Sequence, residues 1–252
     1  MTIYYFQINL TFLCYFEGKT DVRVESYRKK LTIFFSDIQG FTELTDIMEA
    51  EAVSALLNSY LSEMSIIAED YGGTIDKFIG DGVMIFFGDP ETRGEQEDAL
   101  ACVRMAIAMR ERVETLKLDW TTLVGSASLN VRMGINTGHC TVGNFGSDDR
   151  LDYTIVGKEV NAASRLESSA KPNQIQISNT TYELVKDRIE TRPVGELQVK
   201  GLAYPIKSHE VIDPRAPEKP SFQLGFDPAE LSPEDTAAAR EALRRALQEM
   251  DE

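Results

Sequence analysis

Apolar and polar positions between residues 29 and 212 follow two alternating periods. Leu31 to Phe35 is a short apolar run of β-formers and predicts a strand. Val53, Leu56, Leu57, Tyr60, Leu61, Met64, Ile67 and Ala68 recur at helical spacing and predict a helix over residues 49–70, stopped by Gly72-Gly73. Thr74 to Ile79 and Val83 to Phe87 read as a hairpin turning at Gly80-Asp81-Gly82. A second helix is expected from Asp98 to Val113. Leu129 to Asn136 and His139 to Phe145 read as a second hairpin around Thr137-Gly138. A helix from Gly157 to Ser169, a strand from Gln174 to Ile177 and a helix capped by Ser178 complete the pattern.

Up to Asn136 this order is β-α-β-β-α-β, which predicts an α+β fold on a ferredoxin-like core with further α/β elements after it. Leu31–Phe35 and Val83–Phe87 do not alternate, so both faces of the sheet are expected to be covered. The second face then needs a lid, from later elements of this chain or from another subunit.

Composition divides the chain into three. Residues 1–28 are an aromatic-rich lead ending in charge, and 29–212 form the patterned domain. Residues 213–252 open Pro-rich (Pro214, Pro217, Pro220) and reach a predicted helix at Ser232-Pro233-Glu234-Asp235. With 26 Lys and Arg against 41 Asp and Glu, the formal net charge is −15, which argues against sequence-independent nucleic-acid binding. It leaves a nucleotide substrate open, because local cations can overrule the global sign. The cysteines Cys14, Cys102 and Cys140 are odd in number and widely spaced, which fits a reducing, cytoplasmic setting. The most apolar terminal run, Ile3 to Phe16, is interrupted by Gln7, Asn9 and Thr11 and falls short of the ~20 residues of a membrane span.

The chemistry concentrates where strands end. Asp37 closes the first strand and Asp81 sits in the first hairpin turn. In this topology the two elements are neighbours, so the carboxylates can meet and offer hard oxygens to Mg²⁺ or Mn²⁺. Gly40 follows Asp37 at once, and the amides of that turn can hold phosphate oxygens. Either Asp alone reads as a turn or cap residue. Together, beside a Gly turn, they outline a two-metal phosphoryl-transfer site.

Five ordered stretches then carry a resemblance: FSDIQGFT, IDKFIGDGVM, RMGINTGHCTVGNFG, DYTIVGKEVNAASRLE and VKG. Over about Arg28 to Ile212 they resemble the catalytic domain of class III nucleotidyl cyclases. The resemblance implies metal binding by Asp37, Asp81 and the carbonyl of Ile38, with two Mg²⁺ or Mn²⁺ ions per site. It implies Asn161 and Arg165 as the pair acting on the transition state, one helical turn apart on one helix face. It also implies Lys200 as a phosphate ligand and Gly40, Phe41 and Thr42 as amide donors to the polyphosphate.

Base choice in similar enzymes rests on the positions of Lys77 and Thr154. A Lys ammonium donates to adenine N1 and cannot accept from guanine N1–H, and a Thr hydroxyl accepts from the adenine 6-amino group. The pair implies ATP and the Lys/Thr subgroup, with the carbonyl of Ile155 a further contact to the amino group. The family also implies a homodimer with sites shared between subunits, and an arm over Gly138–Asp152 that reaches the partner. The lead YFQINLTFLCYFEGKTDVRVESYRKK resembles a segment that passes signals from an upstream sensor. The expected function is adenylate cyclase in intracellular signalling. A guanylate cyclase and a non-catalytic nucleotide-binding module are the alternatives. A diguanylate cyclase or polymerase palm shares the core but lacks support here, since the hairpin reads Gly80-Asp81-Gly82 and not GGDEF.

Overall fold

A computed structural model of the chain describes residues 26–124, 129–147, 150–198 and 205–214. These lie in the unit Met1–Arg215; the second unit, Ala216–Glu252, is outside the described residues and with it the expected C-terminal helix. The lead before Ser26 and Lys200 are outside them too.

The strands are β1 (Ser26–Gln39), β2 (Thr74–Ile79), β3 (Gly82–Phe87), β4 (Asn130–Ser147), β5 (Arg150–Val156), β6 (Ile175–Ser178), β7 (Ile189–Leu197) and β8 (Ile206–Pro214). The helices are α1 (Phe41–Ile47), α2 (Ala50–Tyr71), α3 (Glu95–Val124), α4 (Lys158–Ser169) and α5 (Asn179–Val185). They build one eight-stranded sheet in the order β2-β3-β1-β4-β6-β8-β7, with β5 paired to β4 off that path. The segment β2-β3-β1-β4 is antiparallel throughout, as the ferredoxin-like reading requires. Beyond it β6 joins β4 in parallel, and β8 and β7 add antiparallel strands.

Both faces of the core strands are buried, by different partners. Phe34 and Ile38 of β1, Ile85 and Phe87 of β3, and Met133 and Ile135 of β4 pack with Leu56, Tyr60, Met64, Met105 and Met109 of α2 and α3. The intervening Leu31, Ile33, Met84, Phe86, Cys140 and Val142 form a second cluster with Ile155 of β5 and Ala163 of α4. The period-2 side-chain alternation of a strand sends each run to both layers. Helix α4 of the same chain therefore supplies part of the expected lid.

Several boundaries differ from expectation. The segment around Thr137-Gly138 is not a turn. Strand β4 runs unbroken through it and pairs with β1 from Asn130↔Gln39 to Gly143↔Ser26. Gly138 is there for close approach: a Cβ would lie 2.6 Å from Cγ of Glu159 on α4. The arm over Gly138–Asp152 is accordingly the far half of β4 with the start of β5. Helix α3 continues past Val113, because Leu116 and Trp120 carry its buried stripe onward. At the ends of the domain, β1 begins at Ser26 and β8 ends at Pro214. Ser178 caps α5 as expected, its hydroxyl accepting from the Thr181 amide at 3.2 Å.

Candidate active site

Three features of the backbone bring Asp37 and Asp81 together. Asp37 lies near the end of β1, and β1 pairs with β3 through Ser36↔Val83. Gly80 holds φ 62°, the left-handed conformation that the tight β2–β3 turn needs. A Cβ on Gly82 would stand 2.9 Å from the Ser36 carbonyl oxygen, so only glycine lets the turn press this closely on β1. The Ile38 amide then donates to Asp81 Oδ2 at 3.1 Å, while the Ile38 side chain is buried in the core. Burial first, and then the hydrogen bond and charge of the adjacent Asp37, push the Asp81 carboxyl up to about 7.

The register places Arg132 of β4 directly across from Asp37. Its guanidinium pairs with Asp37 Oδ2, and its Nε lies 3.4 Å from Oε1 of Glu167 on α4. Burial and the Asp37 charge push the Glu167 carboxyl up to about 7 against the pull of Arg132. Sequence reasoning missed Arg132 and Glu167. The signal for Arg132 was the β1–β4 register, which the misplaced hairpin hid.

Behind this acidic pair the chain turns into α1. Gly40 is the N-cap residue with φ 74°, in the left-handed region. Phe41 packs partly buried against the core and Thr42 is exposed. The first amides of a helix have no intrahelical acceptor, so the Gly40–Thr42 turn presents free N–H groups beside Asp37.

Lys77 and Thr154 form a second group. They lie on β2 and β5, and one carboxylate ties them together. Asp76 Oδ2 accepts from Thr154 Oγ1 at 2.6 Å and from the Ile155 amide at 3.3 Å, and its Oδ1 lies 3.1 Å from Lys77 Nζ. Asp76 is the extra residue of a β-bulge: Ile75 pairs with Ile85 and Lys77 with Met84, leaving Asp76 between them unpaired. Sequence reasoning missed it as well.

Asn161 and Arg165 are exposed on α4, on the side opposite buried Ala162, Ala163 and Leu166. Among the described residues the cation paired with Asp37 is thus Arg132. His209 stacks on Tyr182 at 4.0 Å and meets Asn179, and His139 is exposed on β4. Among the described residues no group of three or more His, Cys, Asp or Glu is placed to hold a metal. No helix among them is long and apolar enough to cross a membrane.

Solved structures similar to this one include cyclases. The profile of the adenylate and guanylate cyclase catalytic domain matches residues 22–212. The solved adenylyl cyclase CyaB from P. aeruginosa is 57% identical, with a TM-score of 0.74 over 75% of this chain and 97% of that one. The solved guanylyl cyclase Cya2 is 36% identical, with a TM-score of 0.72 over 77% of this chain and 97% of that one. Among curated relatives, the terminal-differentiation-specific adenylate cyclase of Dictyostelium discoideum is 35% identical over 214 residues, 79% of this chain. Adenylate cyclase 1 of Rhizobium meliloti is 33% identical over 191 residues, 74% of this chain. The matched segment spans only 10% and 28% of the length of those two proteins. With three quarters of its length inside the matched profile, the chain belongs to the adenylate and guanylate cyclase catalytic domain family.

Proposed function

We propose that this domain is an adenylate cyclase of the Lys/Thr subgroup, making 3′,5′-cyclic AMP and pyrophosphate from ATP at sites shared across a homodimer. The observation that carries the choice of base is the Lys77–Asp76–Thr154 group. Lys77 and Thr154, 77 residues apart in the chain, bring a cationic donor and a hydroxyl to the two oxygens of one carboxylate. That polarity matches adenine N1 and the 6-amino group, and it opposes guanine N1–H.

The acidic pair fits a hard divalent cation. Burial, and then the adjacent Asp37, raise the Asp81 carboxyl, both of which a cation would offset, and Mg²⁺ characteristically uses one or two carboxylates with substrate phosphates. Asp37, Asp81 and the Ile38 carbonyl would hold two Mg²⁺ or Mn²⁺ ions, which supply Lewis-acid activation of the ribose 3′-hydroxyl and of the phosphate oxygens. The amides of Gly40, Phe41 and Thr42 bind the polyphosphate. Arg165 and Lys200 neutralise charge growing on the α-phosphate, and Asn161 orients the ribose. The 3′-oxygen bonds to the α-phosphorus as the bond to the pyrophosphate oxygen breaks. The hydroxyl proton passes to solvent or to substrate phosphate, since neither histidine stands at this site.

Two observations support sharing across a dimer. Asn161 and Arg165 face outward from their own chain. Phe78, Ile79 and Val156, next to Lys77 and Thr154, expose 47, 53 and 42% of their surface, an apolar rim suited to a second copy. Signalling in the cytoplasm under an upstream sensor completes the proposal.

Guanylate cyclase is the second reading, favoured by the close likeness to the guanylyl cyclase Cya2. Turnover of equal ATP and GTP with Mn²⁺ decides between them. Cyclic AMP as the main product supports the proposal, and cyclic GMP as the main product overturns it. Nucleotide binding without turnover of either would mark a binding module.

A further inference from the structure

We propose that Asp76 is a specificity-determining positioning residue, one that fixes the hydrogen-bond polarity of Thr154 without touching the nucleotide. The inference rests on the adenylate cyclase reading and deepens it.

A threonine hydroxyl is ambivalent. It can donate its proton to a 6-oxo group or accept from a 6-amino group, so by itself it separates guanine from adenine poorly. In this fold the ambivalence is removed. Thr154 Oγ1 donates to Asp76 Oδ2 at 2.6 Å, which commits its only proton. What remains on Oγ1 is lone pairs, and a group with lone pairs alone accepts from an amino group and repels a carbonyl. Asp76 can hold that proton because its side chain is fully buried, where no water competes for it.

Its orientation is fixed from three sides. The Ile155 amide converges on the same Oδ2 at 3.3 Å, and Lys77 Nζ lies 3.1 Å from Oδ1. The β-bulge takes Asp76 out of the β2–β3 ladder. One carboxylate therefore sets the acceptor and places the donor of the base-reading pair.

Substitutions at residue 76 test this through the ratio of kcat/KM for ATP to that for GTP. General structural damage lowers activity on both nucleotides and leaves the ratio in place. Asp76→Ala removes the acceptor and frees the Thr154 proton, so the ratio is expected to fall about tenfold. Asp76→Val gives the same result with β-branched bulk suited to a strand, should the alanine variant fold poorly by circular dichroism. Asp76→Asn is expected to keep the ratio within about threefold. The Ile155 N–H draws the amide oxygen to the Thr154 side, so Thr154 still donates, while the amide NH₂ faces Lys77 and KM for ATP rises. Asp76→Ala/Thr154→Asp should regain the lost discrimination, because an aspartate at 154 accepts without a partner.

A wild-type ATP preference left unchanged by both Asp76→Ala and Asp76→Val overturns the inference and leaves the adenylate cyclase reading standing. The same holds if the ratio falls but Thr154→Asp does not restore it. A wild-type preference for GTP overturns both.

Discussion

Asp37 stands between the Arg132 cation and two acids, Asp81 and Glu167, and that balance governs what the end of β1 can bind. Asp37→Ala or Asp81→Ala removes a partly exposed oxygen donor, from the end of β1 or from the β2–β3 turn, and not a core group. Each is expected to lower Mn²⁺-supported turnover at least about a hundredfold with the circular dichroism spectrum unchanged. Retained turnover in either variant would place the cation elsewhere. Asp89 is a contrasting acid, buried and structural. Tyr27 Oη (2.8 Å), Lys29 Nζ (2.7 Å) and the Tyr153 hydroxyl all donate to it, tying the start of β1 to β5. Burial opposes its ionisation, and the bonds from Lys29, Tyr153 and Tyr27 outweigh burial and hold the carboxyl below its ordinary 3.8. Its folded value lies below the unfolded one, so its stabilisation is present above about pH 4 and fades as pH falls through the folded value. Asp89→Asn should cost about 2 kcal/mol near neutral pH. In denaturant titrations that gap should narrow as pH falls below about 4, and a gap constant with pH would contradict the assignment. At this scale the sequence made Asp37 and Asp81 readable, because a Gly turn follows or surrounds each. Arg132, Glu167 and Asp76 were hidden, because their importance comes from register, helix docking and a bulge, which no local pattern records.

Among the elements, β4 and α4 show where pattern reading misleads. The Thr137-Gly138 pair between two alternating runs has the look of a hairpin, yet glycine in a strand also marks the close approach of another backbone. Gly134 does the latter, and Gly138 makes room for the Glu159 side chain. A Cβ on Gly134 would fall 2.1 Å from the Glu167 amide nitrogen and 2.5 Å from the Ala163 carbonyl oxygen, so α4 rides directly on β4. Asn136 fastens the same contact, donating to the Glu159 carbonyl at 3.0 Å and to its carboxylate at 2.9 Å. Gly134→Ala is therefore expected to destabilise the domain by about 3 kcal/mol, at the upper end for overpacking because the clash is with backbone. A change below about 1 kcal/mol in chemical denaturation would show that α4 can lift away freely. The helix period gave α2 and α4 nearly to the residue, since their apolar stripes are unambiguous. It stopped α3 short, although Leu116 and Trp120 continue the stripe at the same three- and four-residue spacing.

Taken whole, the molecule gathers its candidate chemistry in three groups of residues. The acidic pair and the Gly40 turn sit where β1 and the β2–β3 hairpin end. Lys77 and Thr154 gather around Asp76, and Asn161 and Arg165 point away from α4. That the sheet needed covering on both faces was legible in its unalternating strands; that α4 does part of this was not, since a docking face is decided by tertiary packing. On the proposed reading, the outward helix face and the exposed Phe78, Ile79 and Val156 meet a second copy that completes the site. The most direct measurement is complementation. Asp37→Ala and Arg165→Ala chains are each expected to be inactive as homodimers. When co-expressed, a mixed dimer has one site with both lesions and one with neither. Random pairing makes about half of the dimers mixed, each with one intact site, so activity should return to roughly a quarter of wild type. Verified mixed dimers that stay inactive, or a monomer by light scattering that still turns over ATP, would contradict a site shared between two chains.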